Sequence, residues 1–170
     1  MKVCESERLL IEHFDESDCD FIIDLLNQPS FIKNIADKLV RTHDDAIKYL
    51  TEGPIASYEQ NGFGLNRVVL KETNTPIGMC GILKRPQLEF PDIGYAFLPD
   101  FWHKGYAIEA AEAALNDVRI THHLSIIQAV TNQDNVASIK LLQKLDFQFL
   151  ELIQLYPDIP KNKLFQINLA

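Results

Sequence analysis

The residues best suited to chemistry lie in one stretch, Ile93-Gly-Tyr-Ala-Phe-Leu-Pro-Asp-Phe-Trp-His-Lys-Gly-Tyr-Ala-Ile-Glu-Ala. It reads as a strand ending at Leu98, a short turn, and a helix whose first residues are His103, Lys104, Gly105, Tyr106 and Ala107. The first N–H groups of a helix lack intrahelical partners and sit at the positive end of its dipole, so an anion placed there is held by backbone donors. Gly105 carries no Cβ and lets the chain come close to such an anion. Ala107 keeps the next turn small, and Lys104 adds a mobile positive charge. A tight strand-to-helix connection would use the same glycine and lysine. The stretch is neither a Walker loop nor a dinucleotide fingerprint, and Gly62-Phe-Gly64 lacks the third glycine and the following helix of a nicotinamide site.

Periodicity places two further polar side chains on defined faces. Ser138 shares a helical face with Leu141, Leu142 and Leu145, and a hydroxyl on an inward apolar face requires a partner. That partner is either a reacting group or the carbonyl four residues earlier. Asp92 shares a strand face with Gly94, Ala96 and Leu98, where it reads as a solvated strand-end charge. Glu109 belongs to a first helical turn that favours a carboxylate, and is read as structural. His13 and His103 are read as surface or satisfied residues, and His122 and His123 suit a helix C-terminus.

Arg8 to Phe14 reads as a first strand. Asp15 then acts as an N-cap with Asp18 three residues on, and Phe21, Ile22, Leu25 and Leu26 follow at helical spacing up to Pro29. A short helix is expected over Phe31 to Ile35. Another opens near His43, with Pro54 interrupting or restarting it. Leu65 to Lys71 and Pro76 to Leu83 form a hairpin through Glu-Thr-Asn-Thr, and Ile93 to Leu98 is the next strand. Ile108, Ala111, Leu115 and Val118 make the apolar stripe of a helix over Ala107 to Arg119. Ser125 to Val130 reads as a strand and Asn135 to Leu145 as a helix. Phe147 to Tyr156 and Leu164 to Leu169 close the pattern as strands. Mixed elements of this kind give a sheet flanked by helices.

The 170 residues suit a single domain over 1–170, a length that hides about 70% of its unfolded surface. Hydrophobic residues make up 46% and charged ones 24%, as in ordinary globular proteins. No apolar run approaches the ~18 residues of a membrane span. The charged N-terminus lacks an apolar signal core, so a cytoplasmic location is expected. Cys4, Cys19 and Cys80 fit no zinc spacing and no disulfide framework, leaving no metal site and reduced thiols, with Cys80 in the core. The net charge of −8 argues against nucleic-acid or membrane partners and is compatible with a cationic one.

Pro-Asp-Phe-Trp-His-Lys-Gly-Tyr-Ala-Ile-Glu-Ala resembles the acyl-CoA pyrophosphate loop of the GNAT N-acetyltransferases. It is closest to the branch of the ribosomal-protein N-terminal alanine and serine acetyltransferases, which usually reads Pro-x-x-Trp-Gly-Lys-Gly-Tyr-Ala-Thr-Glu-Ala. Ser6-Glu-Arg-Leu-Leu-Ile resembles the family's opening strand, Pro76-Ile-Gly its central hairpin, and Asp92-Ile-Gly-Tyr its fourth strand. Asn132-Gln-Asp-Asn-Val-Ala-Ser-Ile-Lys-Leu-Leu-Gln-Lys-Leu-Asp-Phe is similar to its Asn-x-x-Asn-x-x-Ser…Lys-Leu-Gly-Phe helix.

The resemblance implies an α/β fold with a mixed, mostly antiparallel, seven-stranded sheet flanked by helices. It implies an acetyltransferase that uses acetyl-CoA as acyl donor and an amine as acceptor, acting as a monomer or homodimer. The acceptor would be a protein N-terminus, a polyamine, an amino acid or an aminoglycoside. Phe97 and Leu98 would offer backbone groups to the pantetheine arm, and the amides of His103, Lys104, Gly105, Tyr106, Ala107 and Ile108 would hold the pyrophosphate. Asn135 would bond the pantetheine, Ser138 would lie near the CoA sulfur, and Asp92 stands where the family often has a carboxylate to serve as base. Three positions depart from the family. His103 replaces the first loop glycine, and Asp146 replaces the glycine of Gly-Phe, which implies a left-handed aspartate. Leu142 stands where many members carry a tyrosine that protonates the leaving thiolate. With that acid missing and the loop altered at His103, a non-catalytic acyl-CoA-binding sensor or scaffold domain is the alternative.

Overall fold

Capping chemistry starts the helices where short polar residues precede apolar ones. In the computed structural model, which describes residues 1–170, the Ser17 amide donates to the Asp15 carboxylate at 2.8 Å, and the Asp15 amide donates to Asp18 at 2.9 Å. One turn, Glu16–Asp18, leads into α1 (Cys19–Leu26), which buries Cys19, Ile22, Leu25 and Leu26. Pro29 opens α2 (Pro29–Asn34), where its missing N–H costs nothing. Thr42 and Asp45 form a second reciprocal cap for α3 (His43–Leu50). Pro54 cannot donate to the helical ladder, and the chain widens there into a π turn, Thr51–Ile55, before α4 (Ala56–Asn61).

The sheet has eight strands: β1 (Lys2–Glu5), β2 (Leu9–His13), β3 (Leu65–Leu70), β4 (Thr75–Leu83), β5 (Asp92–Phe97), β6 (Ile126–Asn132), β7 (Gln148–Ile153) and β8 (Asn162–Asn168). Their order is β1-β2-β3-β4-β5-β6-β8-β7. The seven strands expected from the sequence are corrected by β1, a four-residue edge strand with Lys and Glu at its ends and half-buried Val3 and Cys4 between them. So short a segment carries no alternation to read. Every neighbouring pair is antiparallel except β5 and β6, which are parallel and joined through the crossover helix α5 (Tyr106–Thr121). α6 (Val136–Lys144) follows β6.

Alternation along β5 divides two cores. Ile93 and Phe97 join the larger one, built from Leu9, Ile11, Cys80 and Ile82 on the sheet and Ala111, Leu115 and Leu142 on α5 and α6. Ala96 and Leu98 turn to the other face, beside Met79 and the Ile22, Leu25, Leu26 and Leu50 side chains of α1 and α3. Complete burial of a leucine or isoleucine contributes about 1.5–3 kcal/mol each, so both helical layers are held firmly against the sheet. Cys80 is fully enclosed, and all three cysteines are free thiols. No helix is long and apolar enough to cross a membrane.

β5 and β6 meet at a single bridge, Asp92 with Gln128. The Gln128 amide donates to Pro91 at 2.8 Å, and its side chain is tied to Gln166 at 3.0 Å. Beyond that pin the two strands part, and the sheet opens toward Phe97 and Asn132.

Candidate active site

The loop after β5 begins its helix later than the sequence predicts. α5 starts at Tyr106, with Gly105 as its N-cap at φ +80°. His103 has φ +62°, and two left-handed residues so close together cannot belong to a right-handed helix. His103, Lys104 and Gly105 therefore form an exposed loop rather than a first turn. The amides from His103 to Ile108 donate to no protein acceptor, and the first bond of the turn runs from the Glu109 amide to the Gly105 carbonyl at 3.2 Å. This is a run of backbone donors at the positive end of a 16-residue helix.

A contact across the fold steadies this run. The Glu109 carboxylate accepts from the Ser6 hydroxyl at 2.6 Å, the Arg8 amide at 2.8 Å and Arg8 Nε at 2.8 Å. Burial alone would raise the Glu109 carboxyl, but the bonds from Ser6 and Arg8 outweigh it and hold the carboxyl below its usual range. The Arg8 guanidinium also lies 4.4 Å from the centre of the Tyr106 ring. Glu109 is structural here, as read, through a partner that its own helix does not contain.

Next to the loop, β5 exposes backbone groups to the opening. The Leu98 amide donates to Ile77 at 2.9 Å, and its carbonyl accepts from Phe101 at 3.0 Å. The Phe97 carbonyl accepts from Trp102 Nε1 at 2.9 Å. In an antiparallel ladder alternate residues face alternate edges. Leu98, Ala96 and Gly94 thus face β4, while Tyr95 and Phe97 face the side that β6 has left. Of the two residues predicted to bind an extended ligand by their backbone, Phe97 keeps its amide toward the opening and Leu98 has both groups engaged elsewhere. Tyr95 offers an amide and a carbonyl instead.

Ser138 closes the opening from α6. Its hydroxyl lies 2.6 Å from the phenol oxygen of Tyr95, so it does not bond back along its own helix. Asn135 caps α6 by accepting from the Ser138 amide at 3.2 Å, which leaves its side-chain NH2 group free to donate. Leu142 is completely buried and presents nothing to the opening. Asp146 takes φ +68°, the left-handed conformation expected of it. Tyr95 was not singled out in the sequence, although its alternation with Ile93 and Phe97 sets it on the α6 side.

Asp92 lies on the opposite face of β5 from Tyr95, at the pinned end. It is completely buried rather than solvated. Arg85 grips it through Nε at 3.1 Å to both carboxylate oxygens and through a terminal nitrogen at 2.9 Å. Burial pushes its carboxyl up to about 6, against the opposing pull of Arg85. At about 3.3 Å per residue, Asp92 stands roughly 16 Å along the strand from Phe97. The arrangement offers anion donors at the outer end of β5, a hydroxyl pair midway, and a carboxylate poised near neutrality at the inner end.

The family model described as the acetyltransferase (GNAT) domain matches residues 8–148. The uncharacterized N-acetyltransferase p20 of Bacillus licheniformis is 29% identical over 160 residues, covering 92% of this chain and 88% of that protein. Among solved structures, RimL, a ribosomal α-N-protein acetyltransferase in complex with coenzyme A, superposes with a TM-score of 0.85 at 16% identity, covering 100% of this chain and 99% of its own. The microcin self-immunity acetyltransferase MccE, in complex with acetyl-CoA and AMP, gives 0.80 at 15% identity over 96% of this chain and 93% of its own. At these identities the structural likenesses speak to the fold.

Proposed function

The chain belongs to the GNAT acetyltransferase family, and on that premise we propose that it moves the acetyl group of acetyl-CoA to a primary amine by direct attack, as a single catalytic unit. The observation that carries this is the run of unpaired amides from His103 to Ile108 beside the open edge of β5. The amides would hold the pyrophosphate, with Lys104 adding charge from solvent. The pantetheine arm would lie along Tyr95 and Phe97 in place of a neighbouring strand, and the free NH2 group of Asn135 would donate to it. The thioester would then lie in the opening, with Ser138 on one side and the face that carries Asp92 on the other.

A neutral amine attacks the thioester carbon, the nitrogen–carbon bond forms, and the carbon–sulfur bond breaks with its electron pair passing to sulfur. Nitrogen must lose a proton, and a carboxylate near neutrality suits that task, reached through water because Asp92 is completely buried. Asp92 fills this role in our reading, and a β5 backbone amide stabilises the developing oxyanion. Ser138 donates toward the thiolate. The amine is a protein N-terminus or a small amine. The test is release of free thiol from acetyl-CoA with a panel of peptides, polyamines, amino acids and aminoglycosides. Thiol release with an acetylated product supports the proposal. Acetyl-CoA binding without release under every acceptor would instead favour an acyl-CoA sensor.

A further inference from the structure

We propose that Tyr95 is a positioning residue for acetyl transfer, its phenol orienting the Ser138 hydroxyl so that the one Ser138 proton faces the departing sulfur. The proposal rests on the acetyl-transfer reading above and assigns a role to a residue that lies outside the expected set. Each hydroxyl is the other's only hydrogen-bond partner, at 2.6 Å. A serine hydroxyl has one proton and two lone pairs, and within a helix that proton ordinarily goes to a carbonyl one turn back. Here Ser138 Oγ is drawn across to β5 instead.

Either hydroxyl can donate across this distance, and we assign the donor to the phenol, the more acidic of the two, with the alcohol oxygen as acceptor. Burial pushes Tyr95 up to about 12, so the phenol stays protonated near neutral pH and available to donate. The Ser138 proton is then left over. Tyr95 belongs to the part of β5 whose backbone faces the opening, and Ser138 sits in the first turn of α6 on the same side. Leu142, one turn further along α6, is sealed in the core and supplies no competing group. As the carbon–sulfur bond breaks, the Ser138 O–H donates a hydrogen bond to the electron pair arriving on sulfur and keeps its own proton. CoA leaves as a thiolate, and the proton released from nitrogen passes to the base, so the step balances.

Tyr95→Phe keeps the ring and removes only the oxygen. The first measurement needs no turnover: the ultraviolet thiolate absorbance of bound CoA is followed across pH for the wild type, Tyr95→Phe, Ser138→Ala and the double variant. The bound thiol should titrate higher in Tyr95→Phe by about one unit, with the double variant shifted no further than Ser138→Ala. Single-turnover acetyl transfer should slow about tenfold, the worth of one hydrogen bond, with little change in the KM for acetyl-CoA. A Tyr95→Phe protein that titrates like the wild type overturns the proposal, as does a double variant in which the two shifts add. Failure of the wild type to bind CoA at all would sink the acetyl-transfer reading instead.

Discussion

Arg8 and Glu109 stand 101 residues apart in the chain, yet the Glu109 carboxylate accepts from both the backbone amide and the guanidinium of Arg8 at 2.8 Å. The contact joins the loop before β2 to the first turn of α5, the turn that presents the unpaired amides. Glu109→Gln should lower Tm by about 2–4 °C, a modest figure because Arg8 is half exposed and water screens its charge. The folded-state carboxyl is held below its usual 4.5, so its stabilisation is present above that value and lost as pH falls through the depressed one. The Tm difference between wild type and variant, measured from pH 7 down to pH 3, should hold steady and then shrink. A difference that grows toward acid would contradict the contact.

Gly105 has φ +80°, and the nearest atom to a Cβ built there is an Arg8 guanidinium nitrogen at 3.4 Å. Gly105→Glu should therefore cost about 1–2 kcal/mol of backbone strain. It should also abolish the Tm increase that acetyl-CoA produces in the wild type by mass action. Thermal melts with and without acetyl-CoA separate the two effects, and an undiminished ligand shift would move the anion cradle elsewhere.

His103 occupies a left-handed position without being glycine. Its side chain is exposed and makes no hydrogen bond in the structure. His103→Gly should relieve about 1 kcal/mol of strain, offset in part by the greater freedom of the unfolded chain. The expected outcome is an unchanged or higher Tm with acetyl-CoA affinity kept. A large loss of affinity would show that the imidazole itself touches the ligand.

Asp92 should govern the acidic limb of the rate profile, with an apparent midpoint near the 6 to which burial raises it. Asp92→Asn should lower kcat by about 10²–10⁴-fold and remove that limb, with amines of high pKa hurt most. Stability should respond separately. The folded carboxyl titrates above its unfolded 3.8, so wild-type stability relative to the variant should fall as pH rises from about 4 to about 6. Wild-type rates in Asp92→Asn with a high-pKa amine would leave Asp92 as the counter-ion of Arg85 alone.

Local chemistry was readable from the sequence wherever it stayed local. The Asp15 cap, the break at Pro54 and the α5 stripe each rest on residues within a turn or two of one another, whereas the left-handed Asp146 was implied by the resemblance to the family's Gly-Phe. What escaped rests on pairs that only the fold brings together. Tyr95 meets Ser138 from another element, Arg8 meets Glu109 across the molecule, and Arg85 folds back from the turn before β5 to reach Asp92. β1 escaped for a different reason, since four residues with charged ends show no period. The start of α5 was set three residues early because a Gly after a Lys looks like a helical first turn until the φ angles of His103 and Gly105 are known.

The single bridge between Asp92 and Gln128 divides the sheet into two hydrogen-bonded blocks, β1 to β5 and β6 with β8 and β7. Amides at the centre of a continuous sheet exchange with solvent only on deep unfolding. Here Tyr95 and Phe97 sit near the sheet's middle with amides that face an opening, so their deuterium uptake should resemble that of an edge strand. The two blocks should also open as separate cooperative units. A ligand whose amide groups pair with β5 stands in for the missing strand. Its binding should then register as slowed exchange on both sides of the seam at once, including residues of β6 and β8 that it never touches.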